Sequence, residues 1–211
     1  MKRRLWFVLA ATAATTLLCV RARAFHAGAM FDKAPGAGGG GGVYYLGQKS
    51  ERGWDCTACH LDAPRRIRLT VETSPASLLA DQRYRPGAQY DFTVTLVGEH
   101  LGTASPLANF NSLALIFADA AGAPAGVLAG YAPEDFYSGN QAHLASAGTK
   151  PNQTRWTFTW FAPDAGAGAV TLRLSAVDGN GANSAPTDVL TDPKGDDFYS
   201  TVLKFGEGAA K

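Results

Sequence analysis

The sequence predicts an all-β fold, an immunoglobulin-like antiparallel β-sandwich over residues 65–205, entered through a loop-rich segment that carries a cofactor motif. Three observations predict it. Apolar residues recur at period two in run after run, the signature of strands with one buried face. Turn-forming residues separate the runs, in a chain of 211 residues with 24 Gly and 11 Pro. After residue 24 no stretch shows a convincing amphipathic helical period, and about seven alternating strands suit two packed sheets.

In chain order, residues 1–24 open with Lys2-Arg3-Arg4, run apolar from Leu5 to Val20 and end at Ala22-Arg23-Ala24. This is the basic, apolar and small-x-small order of a secretory signal peptide, which places Phe25 at the start of the mature chain. Cys19 raises lipoprotein processing as an alternative, but Leu18 stands before it where a small residue is preferred. No later apolar run approaches the ~20 residues of a membrane-spanning helix. The mature product is expected in the periplasm or outside the cell.

Residues 25–64 contain the run Gly38 to Gly42 and no sustained periodicity, and read as a loop-like segment. Near its end stands Cys56-Thr57-Ala58-Cys59-His60, a Cys-x-x-Cys-His run that reads as a covalent c-type haem attachment site. Two thiols at this spacing add to the two vinyl groups of one porphyrin, and the imidazole of His60 supplies the proximal axial ligand. A redox disulfide, half of a zinc site and chance compete. Zinc wants four protein ligands and the mature chain has no second cysteine pair. A thioredoxin-like motif belongs to a βαβ context, which the strand pattern does not supply. The expected cofactor is one covalent haem c. Trp54 reads either as packing on the ring edge or as an exposed loop residue.

The strands follow. Ile67, Leu69 and Val71 alternate with Arg66, Arg68 and Thr70. Arg65, Arg66 and Arg68 are candidates to pair with haem propionates, against the commoner reading of a solvated strand face. Tyr84-Arg85-Pro86-Gly87 is a turn, and Tyr90, Phe92, Val94 and Leu96 form the clearest strand. Leu113, Leu115 and Phe117 mark another, and Val127-Leu128 a short edge piece. Residues 131–151, with a lone His143, read as a long irregular connection that is either functional or mobile. Trp156, Phe158 and Trp160, then Val170, Leu172 and Leu174, flank an Ala162-Pro163-Asp164-Ala165-Gly166 turn and are expected to pair as a hairpin or a close relative. The three aromatic rings fall on one face and read as sandwich core. Asp178-Gly179-Asn180-Gly181 opens like a calcium loop, but Ala182 brings no ligand oxygen and no Glu closes it, so it reads as a turn. A last strand runs from Phe198 to Phe205, and residues 206–211 form a short tail.

Charge excludes one class. The whole chain carries +1, but five of its 19 basic residues and none of its 18 acidic ones precede residue 25, so the mature chain is formally −4. No basic stripe interleaved with aromatics marks a nucleic-acid binder.

Several stretches taken in order resemble the reelin-like (Reeler) module of exported bacterial proteins. They are Tyr84-x-Pro86-Gly87-x-x-Tyr90, His143-Leu-Ala-Ser-Ala-Gly148-Thr149, Trp156-x-Phe158-x-Trp160-Phe-Ala-Pro163, Gly166-x-Gly168-x-Val170-Thr171 and Gly195-Asp196-Asp197. The resemblance spans most of residues 45–205. It implies an immunoglobulin-like fold, an extracytoplasmic location and a Cys-x-x-Cys-His segment ahead of the sandwich.

The expected function is that of an exported monohaem c-type cytochrome passing single electrons to an extracytoplasmic partner. The alternatives are a binding or adhesion sandwich in which the haem segment is secondary, and a haem sensor or enzyme with an open distal site. Distal-ligand candidates are His143 first, then His26, with Met30 and His100 behind them.

Overall fold

The alternating runs close into two facing sheets in the computed structural model, which describes residue 46 and residues 66–98, 111–136, 138–140, 142–146, 152–179 and 196–209. The strands are β1 (Arg68–Ser74), β2 (Arg83–Tyr84), β3 (Gln89–Val97), β4 (Ser112–Ala118), β5 (Val127–Ala129), β6 (Ser138–Asn140), β7 (His143–Ser146), β8 (Arg155–Phe161), β9 (Val170–Asp178) and β10 (Asp197–Glu207). A one-turn helix, α1 (Ser77–Asp81), lies between β1 and β2. One sheet has the order β1-β3-β8-β5 and the other β2-β10-β9-β4-β7-β6. Every pairing is antiparallel except the two-residue match of β2 with β10. The fold is an all-β, immunoglobulin-like sandwich.

Alternation sends one set of side chains inward from each sheet, and aromatic rings fill the space between. Tyr90 lies opposite Trp160 and Phe92 opposite Phe158 across the β3–β8 ladder, the latter pair stacked at 5.0 Å. From the other sheet, Phe117 stacks on Trp160 at 4.4 Å with planes 8° apart. Each such pair adds about 0.5–1.5 kcal/mol beyond its buried area. Both buried indoles are satisfied: Trp160 Nε1 donates to Ala125 O at 3.0 Å and Trp156 Nε1 to Ser146 Oγ at 3.3 Å. The Pro86-Gly87 turn closes through Ala88 N–H to Arg85 O at 3.1 Å, with Gly87 at φ +67°.

The structure departs from the sequence reading in three places. β8 and β9 are not a hairpin: β8 pairs with β3 and β5, β9 with β10 and β4, so the turn between them carries the chain from one sheet to the other. Gly166 and Gly168, at φ +95° and +73°, let it change sheets there. Residues 131–151 are not wholly irregular, because they hold β6 and β7, whose small and polar residues give too little apolar contrast to show a period. Helix α1 is too short to display a helical period, and it ends on Gln82 in the left-handed region at φ 52°. Among the described residues no helix is long and apolar enough to cross a membrane.

Candidate functional site

The Cys56-x-x-Cys59-His60 run precedes the first strand in the chain, so the point where the chain enters the sandwich limits where that run can go. Arg66 and Ile67 are the first described residues after it. The backbone N–H groups of both donate to Oδ2 of Asp197, that of Ile67 at 2.9 Å. Oδ1 of the same carboxylate takes the N–H of Phe198 at 2.8 Å. Asp197 opens β10 in the six-stranded sheet, whereas Ile67 leads into β1 of the four-stranded sheet, so one buried carboxylate clasps the two layers together. Gly98, just past β3, lies close against this entry point. It sits at φ +144°, and a Cβ there would lie 2.8 Å from Ile67 Cα.

A second contact precedes the motif. Leu46 is buried against Ile116, with Ala114 alongside. These two residues lie on the outer face of β4, since Leu113, Leu115 and Phe117 point into the core. The register extends that outer row: Ile116 lies opposite His143 on β7 and Arg173 on β9, and Arg173 opposite Val202 on β10. The next row runs Ala145, Ala114, Ser175, Ser200. Ala145 and Ser175 are 0% and 2% exposed although they point away from the core. The Oγ atoms of Ser175 and Ser200 are 2.6 Å apart.

At the opposite end of β10 a second carboxylate holds the sheet-changing turn. Glu207 Oε1 accepts the N–H of Gly166 at 2.8 Å and Oε2 that of Gly168 at 2.7 Å, while Tyr84 Oη donates to Gly168 O at 2.7 Å. The two N–H groups hold the Glu207 carboxyl below its ordinary pKa. Burial, and then the nearby Glu207 charge, raise the Tyr84 phenol.

Of the residues singled out from sequence, Cys56, Cys59, His60, His26, Met30, His100, Trp54 and Arg65 lie outside the described residues. His143 is described: it opens β7 and is half-buried on the outer face, a strand residue where the sequence suggested a loop. Arg66 and Arg68 are exposed, as a solvated strand face would have them. Among the described residues no group of three or more His, Cys, Asp or Glu side chains is placed to hold a metal ion. Sequence reasoning passed over Leu46, Arg173, Asp197 and Glu207. Only the Gly195-Asp196-Asp197 run offered a signal.

No family model and no curated protein matches the chain. Solved structures do. The Reelin-N domain of F-spondin is 20% identical with a TM-score of 0.46, over 72% of this chain and 97% of that domain. The human F-spondin reeler domain is 19% identical at 0.44, over 66% and 88% respectively. The Yersinia pseudotuberculosis adhesin InvE is 18% identical at 0.30, over 68% of this chain and 33% of its own. The fold class rests on the strand pairing itself.

Proposed function

We propose that the chain is an exported β-sandwich that carries one covalent haem c on the segment entering the sandwich and passes single electrons to an extracytoplasmic partner. The observation that carries this reading is the Cys56-x-x-Cys59-His60 motif behind an export signal, six residues ahead of a backbone clasp on a rigid domain. The donor set fits the group: two thiols to attach it and an imidazole to ligate its iron. Bound there, haem supplies an Fe(III)/Fe(II) couple. Cys56 and Cys59 would hold it, the His60 imidazole would ligate its iron, and the Asp197 clasp at Arg66 and Ile67 would limit how far the attachment point strays from the sandwich.

The test is expression in a host with c-type maturation. The wild-type protein should keep its haem through acid-acetone extraction, and the Cys56→Ala/Cys59→Ala double variant should not. A wild-type protein that folds and matures without covalent haem refutes this reading. Carbon monoxide binding to the reduced protein would mark the open distal site of a sensor or enzyme instead.

The second reading is an extracytoplasmic binding module. It is favoured by Val127 and Phe161, which lie opposite each other on the outer face of the four-stranded sheet and are 44% and 39% exposed. Exposed apolar pairs of this kind serve partner recognition when they extend into a patch.

A further inference from the structure

The last inward row of the six-stranded sheet, at the end where β4 and β10 begin and β9 stops, is polar throughout. Asp197 lies opposite Asp178. The β4–β9 register sets Ser112 against Val177, and one residue further it places Asn111 beside Asp178. Asn111 is 0% exposed, and Asp178 and Asp197 are each 3% exposed. We propose that this row binds one calcium ion, ligated by the Asp178 carboxylate and the Asn111 amide oxygen with the Asp197 charge alongside. The proposal does not depend on haem.

All three side chains belong to the inside of the sandwich. Asp178 has the parity of Leu172, Leu174 and Ala176, which are core residues. Asp197 reaches the facing layer at the Ile67 N–H, and Asn111 reaches it by donating from Nδ2 to Gln153 O at 2.9 Å, just ahead of β8. The next inward row, Leu113, Ala176 and Tyr199, already belongs to the apolar core or packs against it. The polar row therefore caps the end of that core, where a low dielectric strengthens every charge interaction.

Two independent observations call for a cation here. The first is an orphaned acceptor: Asn111 Oδ1 is buried and accepts no hydrogen bond, and neither does the buried Oε1 of Gln153, the residue to which Asn111 donates. The Asn111 amide cannot simply be turned over, because that would set its oxygen against the Gln153 carbonyl. A buried acceptor without a donor bears the full cost of its lost hydration. The second is like charge: carboxylates directly opposite on neighbouring strands have Cβ atoms about 5 Å apart and repel. A water would satisfy Asn111 Oδ1 and leave the repulsion in place, whereas a cation answers both. Among the described residues no third His, Cys, Asp or Glu joins the two carboxylates, so amide oxygens and water must complete the shell. Such a mixed, irregular oxygen set suits calcium, which takes about six to eight oxygens in flexible geometry, better than magnesium, which demands a regular octahedron.

The experiment uses the mature chain stripped with EDTA and titrated with calcium chloride by calorimetry, with Tm recorded in EDTA, calcium and magnesium. One calcium should bind per chain and raise Tm, since a ligand of the folded state alone stabilises it, and magnesium should raise it far less. Asp178→Asn should abolish the calcium-dependent rise. Asn111→Asp should lower Tm in EDTA by adding a buried charge, and should widen the rise on adding calcium beyond that of wild type. Asp91→Asn, which changes an exposed carboxylate on the outer face of the four-stranded sheet, should respond as wild type does. Equal Tm in EDTA and calcium with no heat of binding refutes the site, as does a full calcium response in Asp178→Asn. If Asp178→Asn does not fold, Asn111→Asp decides: a Tm loss of the same size in EDTA and in calcium makes the row a structural polar cap that binds no ion, and overturns the proposal.

Discussion

The carboxylate of Asp197 accepts the backbone N–H of Ile67 at 2.9 Å, joining residues 130 positions apart in the chain, one just ahead of β1 in the four-stranded sheet and the other at the start of β10 in the six-stranded sheet. Nothing about a period-two pattern requires this contact. It ties the chain just ahead of β1 to the facing sheet.

Asp197→Ala should therefore destabilise the domain by about 2–4 kcal/mol, because the backbone N–H groups of Arg66, Ile67 and Phe198 lose a charged acceptor at a buried position. Asp197→Asn should fall between the two, since an amide keeps one acceptor oxygen and turns a second donor toward these N–H groups. Urea unfolding measures the loss, and amide exchange localises it. Protection at Ile67 that is unchanged in Asp197→Ala would show that the clasp does not hold β1.

Trp160 should be the most sensitive core position tested by a conservative change. Its ring stacks on Phe117 from the facing sheet and its Nε1 satisfies Ala125 O. Trp160→Phe should cost about 1–3 kcal/mol, mainly by leaving that buried carbonyl without a donor. Trp160→Ala should cost about 3–5 kcal/mol through the cavity it opens. Equal losses in the two variants would mean that the hydrogen bond, not the packing, dominates.

Gly126→Ala should be disproportionately harmful for a single methyl. The residue sits at φ +81°, and a Cβ would lie 2.4 Å from both Phe161 O and Trp160 Nε1. Neither neighbour is a flexible tip, since one is strand backbone and the other a fully packed indole. Thermal unfolding should show a marked fall in Tm, whereas Gly122→Ala, with open space around its Cβ and φ +88°, should show only the smaller cost of backbone strain.

The strands and core were legible because burial enforces alternation: the inward residues of β3, β4 and β8, and Val170, Leu172 and Leu174 of β9, follow from period two, whereas the small Ala176 at the next inward position of β9 does not stand out. Partnership was not legible, because the β8 and β9 patterns are the same whether the strands share a sheet or face each other. β6 and β7 were hidden by their Ser, Gly and Ala content. At the candidate site, His143 was identifiable by residue type but not its place on a strand beside Arg173, which follows only from the register through Ile116. Asp197 and Glu207 act by accepting backbone N–H groups far away in sequence, and no local pattern encodes such partners.

Glu207 should make the sheet-changing turn sensitive to acid. Its carboxylate accepts N–H groups from Gly166 and Gly168, which depresses its folded-state pKa below the ordinary 4.5. The sign follows from linkage: the unfolded chain takes up a proton near the ordinary value while the folded one resists, so this contribution is present above pH 4.5 and is lost as pH falls through the depressed folded value. Tyr84 acts at the other extreme. Its folded-state pKa lies above the ordinary 10.0, chiefly through burial, so its contribution is present below pH 10.0 and is lost as pH rises through the raised value. Glu207→Gln should lower Tm at neutral pH, flatten the acid limb of the Tm profile, and bring the Tyr84 titration back toward 10.0 by removing the adjacent charge. A Tm profile recorded across both limbs checks all three, and an acid limb as steep in Glu207→Gln as in wild type would assign the acid sensitivity to other carboxylates.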